Sequence, residues 1–231
     1  VASSGIAQAD AEPRESDEQG AHLSINAVEL RCAMAAVAPV VQPIARMRTT
    51  WTVHADGSIA LQMDVERDTE FPFLPRFGIR MMLPRAMRNV VYCGYGPGES
   101  YVDKHRACWH GMFEGTPPTL GEREIRPQEN GNRHDCDWAS VAGDGVALIV
   151  LRGDGVQPAR AFDFQAIDYT AEEMTRAAHD FELEPAGVTV VSVDYMQSGI
   201  GSDSCGPELL PQYRLDAPEF RFAVTLRPQS A

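Results

Sequence analysis

The chain has 231 residues, 44% hydrophobic and 23% charged, a balance that argues against collagen, coiled coil and wholesale disorder. Its length suits one large β domain or two smaller ones, each able to bury a core. With 20 Lys and Arg against 33 Asp and Glu the formal charge is −13, so counterion release lends no affinity for polyphosphates. Nucleic acid and anionic membranes are not expected partners.

Residues 1–22 are polar and acidic, with Asp10, Glu12, Glu15, Asp17 and Glu18 around Pro13, and read as linker. The first 45 residues are taken as an extension and 46–231 as the folded domain. Val1 stands where an initiator Met would, which points to a piece of a longer polypeptide. The apolar stretch Ala33 to Val41 is broken by Pro39 and lacks a basic flank, so it is neither a membrane span nor a signal peptide.

Regular β pattern begins near Thr50. Trp51, Val53 and Ala55 alternate with polar residues, Asp56-Gly57 intervenes, and Ile59, Leu61, Met63 and Val65 alternate again. Two period-2 runs around Asp-Gly predict a hairpin closed by a type I′ turn. Further strands are expected from Arg76 to Leu83, Asn89 to Cys93, Val146 to Leu151, Ala161 to Ala166, Val188 to Tyr195 and Glu219 to Leu226. One short helix is expected after Thr170, where Glu173 completes a capping box. Many strands, one helix and no fixed-period repeat imply an all-β sandwich or barrel.

Three polar loops carry the groups available for chemistry. The first runs from Gly94 through Tyr95, Pro97, Glu99, Ser100, Tyr101 and Asp103 to Arg106. It contains no phosphate-binding Gly-rich motif. The second, Arg126 to His134, packs Glu129, Asn130, Asn132 and Arg133 together. Amide, carboxylate and guanidinium groups suit sugar hydroxyls, and Asn130-Gly131 equally suits a turn.

The third loop is Gly199-Ile200-Gly201-Ser202-Asp203-Ser204-Cys205-Gly206-Pro207. It lacks the GxSxG elbow and a nearby His, which argues against Cys205 as a nucleophile. The five cysteines are odd in number and widely spaced, and the six histidines form no HExxH. Reduced cytosolic thiols and no metal or cofactor in this chain are the expectation.

The hairpin, Leu74-Pro75-Arg76-Phe77-Gly78 and the three loops occur in one order. Together they resemble the C-terminal "small chain" domain of family 2 β-galactosidases, over about residues 46 to 228. The resemblance implies an all-β, antiparallel supersandwich like that of galactose mutarotase. It implies that both catalytic glutamates of a retaining mechanism lie on a separate (β/α)₈ barrel. This chain is too short to hold such a barrel as well.

In that family the small domain leans a loop over the barrel's active-site mouth. The matching residues are Gly201, Ser202, Asp203, Ser204 and Cys205, with Cys205 where some members carry a stacking tryptophan. No catalytic residue is then expected in this chain, and Glu129, Asn130, Asn132 and Arg133 read as structural before ligand-facing. Other domains or a large subunit of a cytoplasmic, oligomeric enzyme are the implied partners. A galactoside such as lactose is the implied substrate, and any Mg or Na would sit on the other domains. Two further readings stay open: a stand-alone carbohydrate-binding module, and an aldose mutarotase or epimerase pairing Glu129 with His134 or His105.

Overall fold

The computed structural model describes residues 8–9, 26–37, 42–153, 160–201 and 207–230. Its strands are β1 (Gln8–Ala9), β2 (Ala27–Val37), β3 (Pro43–His54), β4 (Ile59–Arg67), β5 (Arg76–Pro84), β6 (Asn89–Gly96) and β7 (Trp109–Gly115). They continue with β8 (Arg133–Cys136), β9 (Trp138–Gly143), β10 (Val146–Arg152), β11 (Phe162–Ile167), β12 (Val188–Gln197) and β13 (Glu219–Ser230). Two short helices, α1 (Pro117–Leu120) and α2 (Ala171–Arg176), complete the regular structure with two 3₁₀ turns. The expected all-β antiparallel class holds. Among the described residues no helix is long and apolar enough to cross a membrane.

The chain divides into two compact units. The first comprises Val1–Pro72, Gly153–Ala159 and Ala217–Arg227. Within it β1, β2, β3, β4 and β13 are successive antiparallel neighbours. Leu61, Met63 and Val65 of β4 are buried, as are Phe222, Val224 and Leu226 of β13. The register sets Phe222 opposite Met63 and Val224 opposite Leu61, so the alternation seen in both strands meets on one face. Strand β2 had no such signature, because Ala33-Met34-Ala35-Ala36-Val37 is a continuous apolar run.

The hairpin expected at Asp56-Gly57 forms between β3 and β4, with Val53 opposite Ile59. Its turn type differs from the expectation. Gly57 N–H donates to His54 O and His54 N–H to Ser58 O, both at 2.9 Å, and only Gly57 of the turn has a positive φ, +83°. This is a three-residue loop with a glycine bulge. Asp56 favours it by accepting from Ser58 N–H at 2.9 Å and Ser58 Oγ at 2.6 Å. The two-residue turn with both φ positive occurs instead at Asp144 (+52°) and Gly145 (+74°), joining β9 to β10.

The second unit comprises Phe73–Arg152, Arg160–Asp216 and Pro228–Ala231. It holds two antiparallel rows, β10-β9-β6-β7 and β5-β12-β11-β8. They approach closely at Gly94 of β6, where an added Cβ would lie 2.5 Å from Cys136 Sγ of β8. Val90, Tyr92, Val141, Val150, Phe162, Phe164, Val191 and Val193 fill the core. Helix α2 carries the expected capping box: Thr170 Oγ1 accepts from Glu173 N–H at 3.2 Å and Glu173 Oε2 accepts from Thr170 N–H at 2.7 Å. Met174 on α2 packs on Ile167 and Val190. Helix α1, introduced by Thr116 and Pro117, was not foreseen.

Candidate functional site

The row β5-β12-β11-β8 has an apolar face and a polar one, because successive side chains of a strand alternate. On β11, Phe162, Phe164 and Ala166 face the core while Asp163 and Gln165 point the other way, and all five are buried. The register sets Asp163 opposite Asp194, Gln165 opposite Ser192, Gly78 opposite Asp194 and Arg76 opposite Gln197. Strand pairing alone therefore gathers two carboxylates, two amides and a guanidinium onto one face.

These groups are tied to one another. Arg76 Nε donates to Asp194 Oδ2 at 3.1 Å, its Nη2 makes a second, shorter bond to the same oxygen, and its Nη1 donates to Glu129 Oε2 at 3.0 Å. Gln165 Nε2 donates to Glu129 Oε1 and to Asn130 O, each at 2.6 Å. Asp163 Oδ1 lies 2.7 Å from His134 Nδ1, and Asp163 Oδ2 accepts from Gln197 N–H at 2.8 Å. Gln197 also reaches Glu129 with its side chain. Its Oε1 is buried without a hydrogen-bond partner among the described residues.

The three polar loops join beside this face. Ser100 N–H donates to Asn132 O at 2.8 Å, Asn132 Nδ2 donates back to Ser100 O at 2.9 Å, and His134 N–H donates to Ser100 Oγ at 2.9 Å. Glu99 accepts from Gly131 N–H at 2.8 Å and pairs with Lys104. Those contacts weld the first loop to the second. Asp103 reaches the stem of the third loop, accepting from Ile200 N–H at 3.2 Å and Gly201 N–H at 2.9 Å. Gly199 lets the carboxyl approach this closely, since an added Cβ would sit 2.5 Å from it and push the Asp103 side chain aside.

The nominated residues fare differently. Ser202, Asp203, Ser204 and Cys205 lie outside the described residues, and Gly201 is the nominated residue that the Asp103 contact holds. Asn132 and Arg133 are 0% and 2% exposed, and their bonds turn inward. Arg133 donates to Tyr92 Oη at 2.9 Å, Asn132 O at 2.9 Å and Leu120 O at 3.1 Å. Asn130 accepts from Glu122 N–H at 3.0 Å and donates to Gln128 O at 2.9 Å. These three are scaffold. Glu129, with 26% of its side chain exposed, is the member of the second loop that reaches the polar face. Arg76, Asp163, Gln165, Asp194 and Gln197 were not nominated, because a polar residue in an alternating strand reads as solvent-facing.

Glu129 and His134 have separate partners, and no hydrogen bond joins them among the described residues. Tyr95 stacks on His134 with centroids 6.1 Å apart and lies 5.1 Å from His105. Burial, with Asp163 and Glu129 nearby, pushes the Asp194 carboxyl up to about 6 despite Arg76. Burial likewise raises Glu129 against the pull of Arg76. For His134, burial acts downward, but the hydrogen bond and charge of Asp163 outweigh it and raise the imidazole above 6.5.

A histidine or carboxyl with a raised native pKa binds protons more tightly in the folded state. Its stabilising contribution is full below the unfolded value and fades as pH rises through the native one. The polar face is therefore expected to favour folding more at about pH 5 than at about pH 8. In an NMR titration His134 should titrate above 6.5. In Asp163→Asn it should move down, since burial and Arg160 are then opposed only by the charge of Asp135. A midpoint unchanged by the substitution would contradict the pairing.

The comparisons with known proteins decide what this arrangement belongs to. The sequence profile of the family described as "Beta galactosidase small chain" matches residues 4–226. The chain belongs to the β-galactosidase small-chain family. A β-galactosidase of Staphylococcus xylosus is 37% identical over 200 residues, covering 87% of this small chain and 20% of that protein. One from Actinobacillus pleuropneumoniae is 38% identical over 178 residues, covering 76% and 16% respectively. The small chain thus spans a fifth or less of these relatives.

Among solved structures, the galactosidase domain of an α-galactosidase–sucrose kinase aligns at TM-score 0.50 and 10% identity, over 99% of this chain and 28% of that one. That likeness bears on the fold alone. A galactose 1-epimerase from Lactobacillus acidophilus aligns at TM-score 0.49 and 7% identity, over 97% and 66%.

Proposed function

We propose that this chain serves as the small-chain part of a larger family 2 β-galactosidase that hydrolyses terminal β-D-galactosides such as lactose by a retaining mechanism. The chemistry then rests on two carboxyls about 5 Å apart, carried by another part of the enzyme. The chain's contribution is to complete the mouth of the active site through the 199–207 loop and to hold the assembly together. A cytoplasmic, oligomeric parent is part of the same proposal.

The observation that carries this reading is the three-loop junction within a confirmed small-chain sequence. Asp103 grips the stem of the third loop, and Glu99 and Ser100 lock the first loop to the second. Such cross-ties fix the stem of the third loop against the first two loops, which suits a part that completes a neighbouring site. The carboxylates of the polar face are already committed to Arg76, His134, Gln165 and backbone N–H groups. The folded chain alone is expected to give no hydrolysis of a chromogenic β-galactoside above buffer; turnover by the pure chain would refute the reading.

A further inference from the structure

Cys93, His110 and Asp137 lie outside the polar face and are far apart in sequence, but strand register brings them together. Cys93 on β6 is opposite Met112, so His110, two residues away on β7, is its diagonal neighbour. Tyr95 and His110 are directly opposite, which places Cys93, Tyr95 and His110 on the same side of the pair. On the other flank Cys93 is opposite Trp138 of β9. Asp137, just before it, donates its N–H to Cys93 O at 2.8 Å.

The side-chain atoms converge on one point. Cys93 Sγ is 3.9 Å from Asp137 Oδ2, His110 Nε2 is 3.6 Å from the same oxygen, and all three atoms lie within 4.8 Å of one another. In a tetrahedral zinc site, metal–ligand bonds of 2.0–2.3 Å imply S···O and N···O edges of about 3.6 and 3.4 Å. Two edges of one tetrahedral face thus match within a few tenths of an ångström, and the third, Cys93 Sγ to His110 Nε2, is under 4.8 Å. Arg152 holds the other oxygen, Asp137 Oδ1, at 3.2 Å, which orients Oδ2 toward the other two ligands.

We propose that Cys93 Sγ, His110 Nε2 and Asp137 Oδ2 bind one zinc-class divalent cation, with water in the fourth position. The donor set of thiolate, imidazole and carboxylate selects zinc over magnesium or calcium, which prefer all-oxygen shells. Binding forms metal–sulfur, metal–nitrogen and metal–oxygen bonds and releases the Cys93 thiol proton to solvent, with no change of oxidation state. His110 Nε2, 3.1 Å from Asp135 O, exchanges that contact for the metal. The cation ties β6 and β7 to the corner between β8 and β9, so it stabilises the second unit through linkage to folding.

The test is a Co²⁺ titration of the full chain, followed by displacement with Zn²⁺. One equivalent should produce a thiolate-to-cobalt charge-transfer band with tetrahedral visible absorption, and Zn²⁺ should abolish both and raise the unfolding midpoint. Cys93→Ser should lose the charge-transfer band. His110→Ala, a change at an exposed strand position, should weaken binding at least about tenfold, since even outer partners of ligands are worth that much. No charge-transfer band in the parent chain, a band that survives in Cys93→Ser, or unchanged affinity in His110→Ala would overturn the proposal.

Discussion

Arg133→Met should lower unfolding free energy by about 3 kcal/mol, read as a fall in urea midpoint at unchanged slope. Methionine fills much of the volume but supplies no donor. Tyr92 Oη and Leu120 O, which accept from Arg133 at 2.9 and 3.1 Å, are then left buried and unpaired. Each such group costs about 1–3 kcal/mol. Asn132 O suffers less, since Ser100 N–H still donates to it at 2.8 Å. Releasing a buried guanidinium from its desolvation offsets part of the loss, which places the estimate near the middle of the range. Arg133→Lys should not rescue, because one ammonium cannot span three divergent acceptors. Stability within about 0.5 kcal/mol of the parent would show that Arg133 is not the keystone of the second loop.

Gly78→Ala is expected to cost about 3 kcal/mol or more, through forced separation of β5 from β12. An added Cβ would lie 2.2 Å from Val193 O, 2.3 Å from Asp194 Oδ1 and 2.4 Å from Asp194 Cα. Two of those atoms are backbone and cannot swing aside. The displaced Asp194 is the carboxylate that Arg76 clamps, so the polar face should be disturbed along with stability. Gly98→Ala is the matched control, because nothing lies within 4 Å of its added Cβ. Equal stability of the two variants would mean that β5 and β12 are not as tightly opposed as described.

Much of this fold could be read before any coordinates. Strands with clean alternation, such as β4 and β13, announce themselves because one face is buried and the other is not. The capping box at Thr170 and Glu173 marks α2 for a similarly local reason. What stayed hidden depends on tertiary context. Strand β8 begins at Arg133, inside a segment whose Asn-Gly composition reads as a turn. Strand β7 runs Trp109-His110-Gly111-Met112-Phe113 with two large apolar side chains, Trp109 and Met112, exposed, so its pattern matches neither template. The Asp-Gly dipeptides at 56–57 and 144–145 are identical, yet only the second forms the two-residue turn, because strand pairing on each side sets loop length.

The site divides along the same line. Loop order along the chain pointed to the small-chain family, and the family match bears that out. The residues that assemble the polar face did not stand out. Asp163, Gln165 and Asp194 are ordinary polar positions in alternating strands until register places them on one buried face. Cys93, His110 and Asp137 obey no spacing rule for the same reason: cross-strand neighbours need no fixed interval in sequence.

A β-galactoside hydrolysis assay with the folded chain, alone and added to the proposed parent enzyme from which this segment has been removed, tests the proposed division of labour most directly. Cooperative unfolding of the chain should be verified first, so that inactivity reflects missing chemistry and not a missing fold. The expected result is no turnover by the chain alone, low turnover by the shortened enzyme, and a rise when the two are mixed. Turnover by the chain by itself, or a shortened enzyme as active as the whole one, would contradict it.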